Sequence, residues 1–289
     1  MIEITNLTKS YDGQIVIKNC NAKINSGSIN GLVGENGSGK STLLRLIAGV
    51  LKADSGSITL DGEETFENPK AKEKIFFLAD EPYFGKNARI KDLITLYSSF
   101  FDSFTQEEFK KNLIKYRVDN DKPLNSFSKG MRRKVYLAAA LASHANVILI
   151  DEAFDGLDPY SRNAFKKDII ELMDKNPETT VVIASHSLRE LDDICDSYSL
   201  VDNGQISDEF MAAKNMHKVR LAFAEEAPFD VSLLNPLMVK RDGHFLTLIT
   251  EESEAHIREF FAKYNPLMMD IVDLTVEEAF IYNKERELL

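Results

Sequence analysis

Short apolar runs separated by turn signals dominate the start of the chain. Residues 2–5, 15–17 and 22–24 are rich in strand-forming residues, and Asp12-Gly13 is typical of a tight turn. A further apolar run, Ile29–Val33, follows them. The pattern predicts a small antiparallel β unit that leads into a buried strand.

Later apolar runs lack alternation and predict strands that are covered on both faces. Residues 75–79, 147–150 and 181–184 are of this kind, which a parallel sheet between helices requires. From residue 90 to about residue 144 the apolar positions instead recur every three and four residues. We therefore predict an α/β fold with a helical insert at about residues 87–145.

Two helix starts carry the pattern of a capping box. Thr105 is followed by Glu108, and Ser187 by Glu190, at the spacing of a hydroxyl cap and its reciprocal carboxylate. Inside the insert, four aromatic residues are close in sequence, and we expect them to form a small core there. They are Phe100, Phe101, Phe104 and Phe109.

The pattern changes again at about residue 215. A strand at 218–223, a hairpin at Asp242-Gly243, a helix at 254–264, a strand at 269–274 and a closing helix from Val276 are predicted. We therefore divide the chain into a domain of residues 1–214 and a small α+β accessory domain of residues 215–289. No catalytic role is assigned to the second domain.

A glycine-rich loop lies between the strand Ile29–Val33 and a helix predicted from Ser41 to about Val50. Residues 34–42 read GENGSGKST and contain the pattern G-x-x-x-x-G-K-[ST]. Glycines in such a loop let backbone N–H groups surround a phosphate at a helix N-terminus. Lys40 is then placed to reach the β- and γ-phosphates, and the Ser41 hydroxyl to hold Mg²⁺.

Polar residues follow two of the predicted buried strands directly. Residues 147–150 run into Asp151-Glu152, and residues 181–184 into Ser185-His186. Open α/β sheets bind their ligands at the carboxyl ends of such strands. We therefore expect Asp151, Glu152 and His186 to face the glycine-rich loop.

Composition excludes several classes of function. The longest apolar runs fall far short of the roughly 20 residues of a membrane span, and the N-terminus lacks the pattern of a secretory signal. Cys20 and Cys195 are expected to be buried thiols in a reducing compartment. A net charge of −11 argues against nucleic acid as a partner.

In their order and spacing, these motifs resemble the nucleotide-binding subunits of ABC transporters, over residues 1 to about 210. The sequence Ser128-Lys129-Gly130-Met131 is similar to the signature usually written LSGGQ. Residues 34–42 match the Walker A motif, 147–152 the Walker B motif and 156–158 the D-loop. The fold implied is a P-loop NTPase with a mostly parallel sheet, an N-terminal antiparallel β unit, a helical insert and the small C-terminal domain.

The resemblance implies a role for each matching residue. Glu152, His186 and Lys40 would be catalytic, with Glu152 on the attacking water and His186 on the γ-phosphate. Mg²⁺ would be held by Ser41 and Asp151, and approached by Asp80. The residues implied to bind ATP are Tyr11, Asn36, Gly37, Ser38, Gly39, Lys40, Ser41, Thr42, Asp158 and, from the partner of a dimer, Ser128 and Gly130.

The chain departs from the family pattern at three positions. Asp80 or Glu81 stands where the family has a glutamine that senses the metal and contacts the membrane partner. Ala153 replaces the proline that usually follows the catalytic glutamate. Lys129 replaces the first glycine of the signature, which is expected to place a positive charge beside the partner's γ-phosphate site.

The function implied is an ATPase subunit that energises a separate integral-membrane permease from the cytoplasmic face of the membrane. The signature and the ending at residues 275–280 resemble the branch that exports drugs, peptides or lipid-like molecules. An importer subunit and a soluble ABC-type ATPase acting on ribosomes or DNA are the alternatives. The dimer is either a homodimer or a heterodimer.

Overall fold

The computed structural model describes residues 1–80, 85, 87–118, 122–207, 210–211, 216–224, 230–274 and 278. The chain forms two compact units, Met1–Phe210 and Met211–Leu289. Glu81, the helix predicted from Val276 and the ending at 275–280 lie largely or wholly outside the described residues. Among the residues described, no helix is both long enough and apolar enough to cross a bilayer.

The first unit contains ten strands and seven α-helices among its described residues, and a two-residue strand β11 (Phe210–Met211) follows them. The strands are β1 (Ile2–Tyr11), β2 (Gln14–Ile24), β3 (Ile29–Val33), β4 (Ser55–Leu60), β5 (Glu63–Glu64), β6 (Ile75–Leu78), β7 (Val147–Asp151), β8 (Thr180–Ser185), β9 (Ser197–Asp202) and β10 (Gln205–Ile206). The helices are α1 (Lys40–Ile47), α2 (Pro69–Lys72), α3 (Ile90–Phe100), α4 (Gln106–Lys115), α5 (Lys129–Ser143), α6 (Pro159–Lys175) and α7 (Leu188–Leu191).

The N-terminal antiparallel unit is a four-stranded sheet in the order β2-β1-β4-β5. The runs predicted at 15–17 and 22–24 are parts of one strand, β2, because the polar residues between them remain in the ladder with β1. Shifts in the register between β1 and β2 accommodate the irregular spacing of the apolar residues along these strands. Asp12 and Gly13 have positive φ and form the predicted turn.

The central sheet has the strand order β10-β9-β3-β8-β7-β6. Its strands from β9 to β6 are parallel, and every residue of β3, β7 and β8 is buried. The predicted parallel α/β core is therefore confirmed. Register aligns Val33 with Ser185 and Asp151 with Ala184, so the ends of β3, β7 and β8 lie side by side.

One hydrophobic cluster joins the N-terminal sheet, helix α1 and the central sheet. It includes Leu7 of β1, Ile17 of β2, Leu44 of α1 and Leu149 of β7, all with no exposed surface. Close-packed interiors allow little displacement. The loop between β3 and α1 is therefore fixed on both sides by the same core.

The helical insert consists of α3, α4 and the connection to α5. Phe101, Phe104 and Phe109 form an aromatic cluster with Tyr97, as predicted, but Phe76 of β6 also belongs to it. Phe100 is 49% exposed and packs only at the margin of the cluster, on Phe101. The insert is thus anchored on the sheet rather than built on a separate core.

Both predicted capping boxes are wrong, although α4 and α7 begin where they were expected. Thr105 and Ser187 occupy the N-cap positions without a side-chain cap bond. Glu108 instead pairs with His144 at 2.9 Å, and Glu190 accepts a hydrogen bond from Ser185 Oγ. Tertiary partners compete successfully with the local cap.

The second unit is an antiparallel sheet covered on one face by a helix. Its core contains Val219, Leu221, Ile257 and Phe261. The strand order is β13-β14-β12-β15. The elements are β12 (His217–Ala222), β13 (Met238–Asp242), β14 (Phe245–Thr250), α8 (Glu254–Ala262) and β15 (Met268–Asp273).

Candidate nucleotide-binding site

Backbone geometry of the glycine-rich loop depends on Gly39, which is the N-cap of α1. Gly39 has φ 113°, and a Cβ there would lie 2.9 Å from Ile17 Cδ1 and 3.1 Å from the Val16 carbonyl oxygen. Only glycine meets both the conformational and the steric demand. Strand β2 therefore lies directly against the loop.

Lys40 is buried inside the loop, with 4% of its surface exposed. Its Nζ donates hydrogen bonds to the carbonyl oxygens of Gly34, at 2.7 Å, and Glu35, at 3.0 Å. Burial lowers the pKa of Lys40, and the charges of Glu152 and Asp151 oppose that shift. The ammonium thus lies near the carboxylates of Glu152 and Asp151 at the edge of the sheet.

Ser41 and Asp151 lie together at the first turn of α1. Ser41 Oγ donates to Asp151 Oδ1 at 3.0 Å, and Asp151 is only 1% exposed. Burial raises the pKa of Asp151, the bond from Ser41 lowers it, and the nearby charge of Glu152 raises it further. A buried carboxylate in this position is stabilised by any cation that reaches it.

Glu152 and His186 are also in contact, across the ends of β7 and β8. His186 Nδ1 lies 3.0 Å from Glu152 Oε2. The backbone of Glu152 is left-handed, with φ 50°, a conformation that costs a non-glycine residue roughly 1–2 kcal/mol. The structure therefore brings together four of the predicted side chains in two pairs, Ser41 with Asp151 and Glu152 with His186.

The signature segment forms the start of α5. Ser128 is the N-cap, and its Oγ accepts a hydrogen bond from the Met131 N–H at 3.2 Å. A Cβ on Gly130 would lie 2.3 Å from the Gly156 carbonyl oxygen. Gly130 therefore has a packing role within its own chain, which the sequence did not indicate.

Lys129 and Asp80 are paired with each other. Lys129 Nζ lies 3.1 Å from Asp80 Oδ1 and 2.7 Å from Asp155 Oδ2. The hydrogen bond with Asp155 is the main cause of the raised pKa of Lys129. The charge of Lys129 is thus shared with two carboxylates of the same chain, and the carboxylate of Asp80 is turned towards α5.

The remaining predicted residues lie around this centre. Asp158 caps α6 by accepting from Ser161 N at 2.9 Å and also pairs with Lys134, and these bonds hold its pKa far below the usual range. Tyr11 is 39% exposed at the end of the β1–β2 hairpin, with Lys9 Nζ 5.5 Å from its ring centroid. Asn36 and Gly37 are exposed at the loop tip, and Ser38 and Thr42 are half-buried.

Sequence reasoning missed Arg133, which is 3% exposed on α5. It donates from Nη1 to the Ala79 carbonyl at 3.0 Å and from Nη2 to the carbonyls of Asp151 and Glu152. In the sequence, Arg133 is the middle one of three consecutive basic residues at 132–134, and such a run predicts a solvent-exposed surface.

The pair of Ser41 and Asp151 suits Mg²⁺. The described residues contain no group of three or more His, Cys, Asp or Glu side chains that could hold a metal ion. Mg²⁺ prefers oxygen ligands and usually takes few of them from the protein, with phosphate and water supplying the others. One hydroxyl and one carboxylate at the head of a phosphate-binding loop match that preference.

Comparison with known proteins assigns the family. The family described as ABC transporter matches residues 17–155. The ABC transporter ATP-binding protein NatA of Bacillus subtilis is 32% identical over 222 residues, which cover 71% of this chain and 87% of NatA. The chain belongs to the ABC transporter ATP-binding proteins. The predicted family, fold class and ATP cofactor are confirmed, and the chain is a member of a family of ATPases.

Other members of the ABC family are similar over more of the chain. The ABC transporter ATP-binding protein YtrB of Bacillus subtilis is 29% identical over 97% of both chains. The bacitracin transport ATP-binding protein BcrA of Bacillus licheniformis is 26% identical over 85% of this chain and 79% of BcrA. A solved ATP-binding subunit of an ABC transporter shares the fold, with a TM-score of 0.66, 23% identity, and coverage of 73% of this chain and 90% of that one.

Proposed function

We propose that this ABC protein hydrolyses ATP to drive a separate integral-membrane permease, from the cytoplasmic face of the membrane. The observation that carries the hydrolytic part is the meeting of Lys40, the pair Ser41–Asp151 and the pair Glu152–His186 at adjacent strand ends. The geometry supplies a loop that can hold the phosphates and, beside it, the Glu152 carboxylate that can orient a water molecule. Phosphoryl transfer to water needs both.

Each side chain has a defined task in this proposal. The loop and Lys40 bind the phosphates, with Ser38 contributing a buried hydroxyl that has no hydrogen-bond partner within the described part of the chain. Ser41 and Asp151 hold Mg²⁺, which neutralises phosphate charge when bound. Glu152 orients or deprotonates the attacking water, and His186, which contacts the Glu152 carboxylate, approaches the γ-phosphate. Tyr11 stacks on adenine.

The signature segment acts in a second chain. Ser128 is exposed at the N-terminus of α5, a helix of 15 residues. Unpaired N–H groups and the positive end of the helix dipole favour an anion there. We infer that Ser128 and Gly130 of one subunit, with Asp158 beside them, cap the ATP held by the loop of another, in either a homodimer or a heterodimer.

The direction of transport is proposed to be export. The support is the similarity to the Nod factor export ATP-binding protein I of Sinorhizobium fredii, which is 30% identical over 71% of this chain and 61% of that protein. A chain that supplies only the ATPase needs a permease to carry the substrate. We propose that the cargo is a drug, a peptide or a lipid-like molecule, and that nucleic acid is not a partner.

The replacement Glu152→Gln tests the hydrolytic part. It removes the proton acceptor and retains the size and hydrogen-bonding capacity of the side chain. We expect a loss of turnover of about 100-fold or more, with ATP affinity retained and an ATP-bound dimer accumulating on gel filtration. Glu178→Gln, an exposed carboxylate just before the start of β8 and therefore at the opposite end of that strand from His186, is the control and should retain normal turnover.

The permease is tested by purification of the tagged chain from detergent-solubilised membranes. We expect one integral-membrane protein to be recovered in stoichiometric amount. Reconstituted in inside-out vesicles, the pair should accumulate its cargo with external ATP. Recovery of ribosomal or DNA-bound complexes in place of a membrane protein would contradict this part of the proposal.

A further inference from the structure

Arg133 joins three parts of the chain that the proposed function treats separately. It lies on α5, which begins at the signature residue Ser128. Its two terminal nitrogens bond to the carbonyl that follows β6 and to the two at the end of β7, those of Ala79, Asp151 and Glu152. The guanidinium thus ties the signature helix to the backbone of Glu152.

The charge of Arg133 is balanced within the same region. Burial lowers the pKa of Arg133, and the carboxylates of Asp80, Asp151, Asp155 and Glu152 oppose that shift. The nearest is Asp80, with Oδ1 3.7 Å from Nη2. A buried cation of this kind is retained only when carbonyl oxygens and carboxylates surround it.

The backbone at Glu152 requires such a restraint. Glu152 has φ 50°, a region that few non-glycine residues occupy. Conformations of this kind persist when the surrounding structure over-determines them. The Glu152 N–H donates to the Ala184 carbonyl at 3.0 Å, and the Glu152 carbonyl accepts from Arg133, so both sides of the residue are held.

We propose that Arg133 is a positioning residue. It keeps the Glu152 carboxylate directed at the position of the attacking water, and it moves together with Ser128. The two residues are five positions apart on one helix, so they are offset by about 7.5 Å along its axis and shift together. When a partner's ATP engages Ser128, the displacement of α5 reaches Glu152 through the guanidinium. This inference rests on the proposed roles of Glu152 and Ser128.

The test is Arg133→Met, measured in the full-length chain beside Glu152→Gln. We expect kcat to fall by at least about tenfold, since small misplacements of a catalytic group cost that much. ATP affinity should remain within a few-fold of the original, and the ATP-bound dimer should accumulate as it does in Glu152→Gln. A residue that served only to stabilise the fold would lose the dimer together with turnover.

Two further variants make the result specific. Arg133→Lys can reach one carbonyl but not three, so its kcat should fall between those of Arg133→Met and the unaltered chain; if Arg133→Met does not fold, the Lys variant alone carries the test. Arg132→Met removes a neighbouring arginine that bonds to the Phe127 carbonyl, and it should keep normal turnover. The inference is overturned if both Arg133→Lys and Arg133→Met keep the kcat of the unaltered chain. It is also overturned if the amount of ATP-bound dimer falls in proportion to kcat.

The outcome also separates the inference from the function on which it rests. Normal turnover in Glu152→Gln would overturn the role of Glu152 and the inference with it. Blocked turnover in Glu152→Gln with normal turnover in Arg133→Met would overturn the role of Arg133 alone.

Discussion

Asp151 illustrates how a buried charge at the site affects the whole protein. Its carboxylate is nearly inaccessible to solvent, and burial raises its pKa above the ordinary value. Because the folded state favours the protonated form, this contribution to stability is present at low pH and is lost as the pH rises through the raised pKa. At neutral pH the charge therefore destabilises the nucleotide-free protein.

Replacement Asp151→Asn should raise the melting temperature of the nucleotide-free protein at pH 7. A gain of about 1 kcal/mol corresponds to roughly 2–4 °C for a domain of this size. The same variant should lose the stabilisation that Mg²⁺ adds to ATP binding, because in the proposed site the Asp151 carboxylate is the charged Mg²⁺ ligand beside Ser41. Differential scanning fluorimetry, with and without Mg-ATP, measures both effects.

Asp158→Asn is the matched control for this prediction. Its hydrogen bonds with Ser161 and Lys134 hold the pKa of Asp158 below the ordinary value, so its charge favours the folded state at neutral pH. Asp158→Asn should leave the melting temperature unchanged or lower it. An unchanged or lower melting temperature for Asp151→Asn would contradict the role given to burial.

At this scale the sequence predicted which side chains meet at the strand ends, and their roles stay predictions. Residues named by a motif have a chemistry that the motif itself requires, as Lys40 and Ser41 do. Arg133 could not be predicted, because its function depends on which carbonyl ends the fold brings beneath α5. The left-handed backbone of Glu152 was likewise not visible, since it is set by the bonds to Ala184 and Arg133.

Among the elements, helix α5 combines two tasks at its N-terminus. Ser128 is exposed, whereas Gly130 packs against the Gly156 carbonyl of the turn that follows β7. The first residue is free to meet another chain, and the second fixes the helix to its own. The two signature residues therefore need separate tests.

Ser128→Arg should block ATP-dependent dimerisation while leaving the chain folded. The long charged side chain stands where the proposed partner's ATP would approach, but it does not interfere with packing beneath α5. Gel filtration of the variant with ATP, in a Glu152→Gln background, is the measurement. Dimer formation equal to that of Glu152→Gln alone would exclude the contact in trans.

Gly130→Ala should lower stability in the monomer itself. The new Cβ would meet the Gly156 carbonyl oxygen at 2.3 Å, so the turn has to move, at an expected cost of about 1–3 kcal/mol. Urea denaturation without nucleotide measures the cost. Gly85→Ala, where a Cβ meets nothing within 4 Å, is the control and should be close to neutral.

Elements with a clear hydrophobic pattern, either a periodic one or a continuous apolar run, were predicted well, and those without such a pattern were not. The runs that became β7 and β8 were recognised because a parallel strand needs no polar face. Helix α6 was not predicted at all, since residues such as Lys166 and Asp168 are buried in pairs and obscure its apolar stripe. Tertiary ion pairs of this kind are not encoded in local sequence.

At the scale of the molecule, the two units have cores that share no residue. The first is the cluster that includes Leu44 and Leu149, and the second contains Val219 and Phe261. All the described site residues belong to the first unit. Units with independent cores can unfold in separate transitions.

Calorimetry of the whole chain should therefore resolve two transitions, of which Mg-ATP shifts one. At a ligand concentration of 100 times Kd, the stabilisation of the binding unit is about 2.7 kcal/mol. The transition of the accessory unit should stay in place. A single transition that moves as a whole with ATP would mean that the units unfold cooperatively, against this prediction.

The loop carbonyls that hold Lys40 have a consequence for selectivity. The Lys40 ammonium has two acceptors of its own chain, at 2.7 and 3.0 Å, so a phosphate that contacts Lys40 competes with these two carbonyl oxygens. A ligand gains only the difference between its own bonds and those it displaces. Inorganic phosphate offers a single anionic group in return, whereas a triphosphate offers several, so we expect the loop to favour a triphosphate over inorganic phosphate.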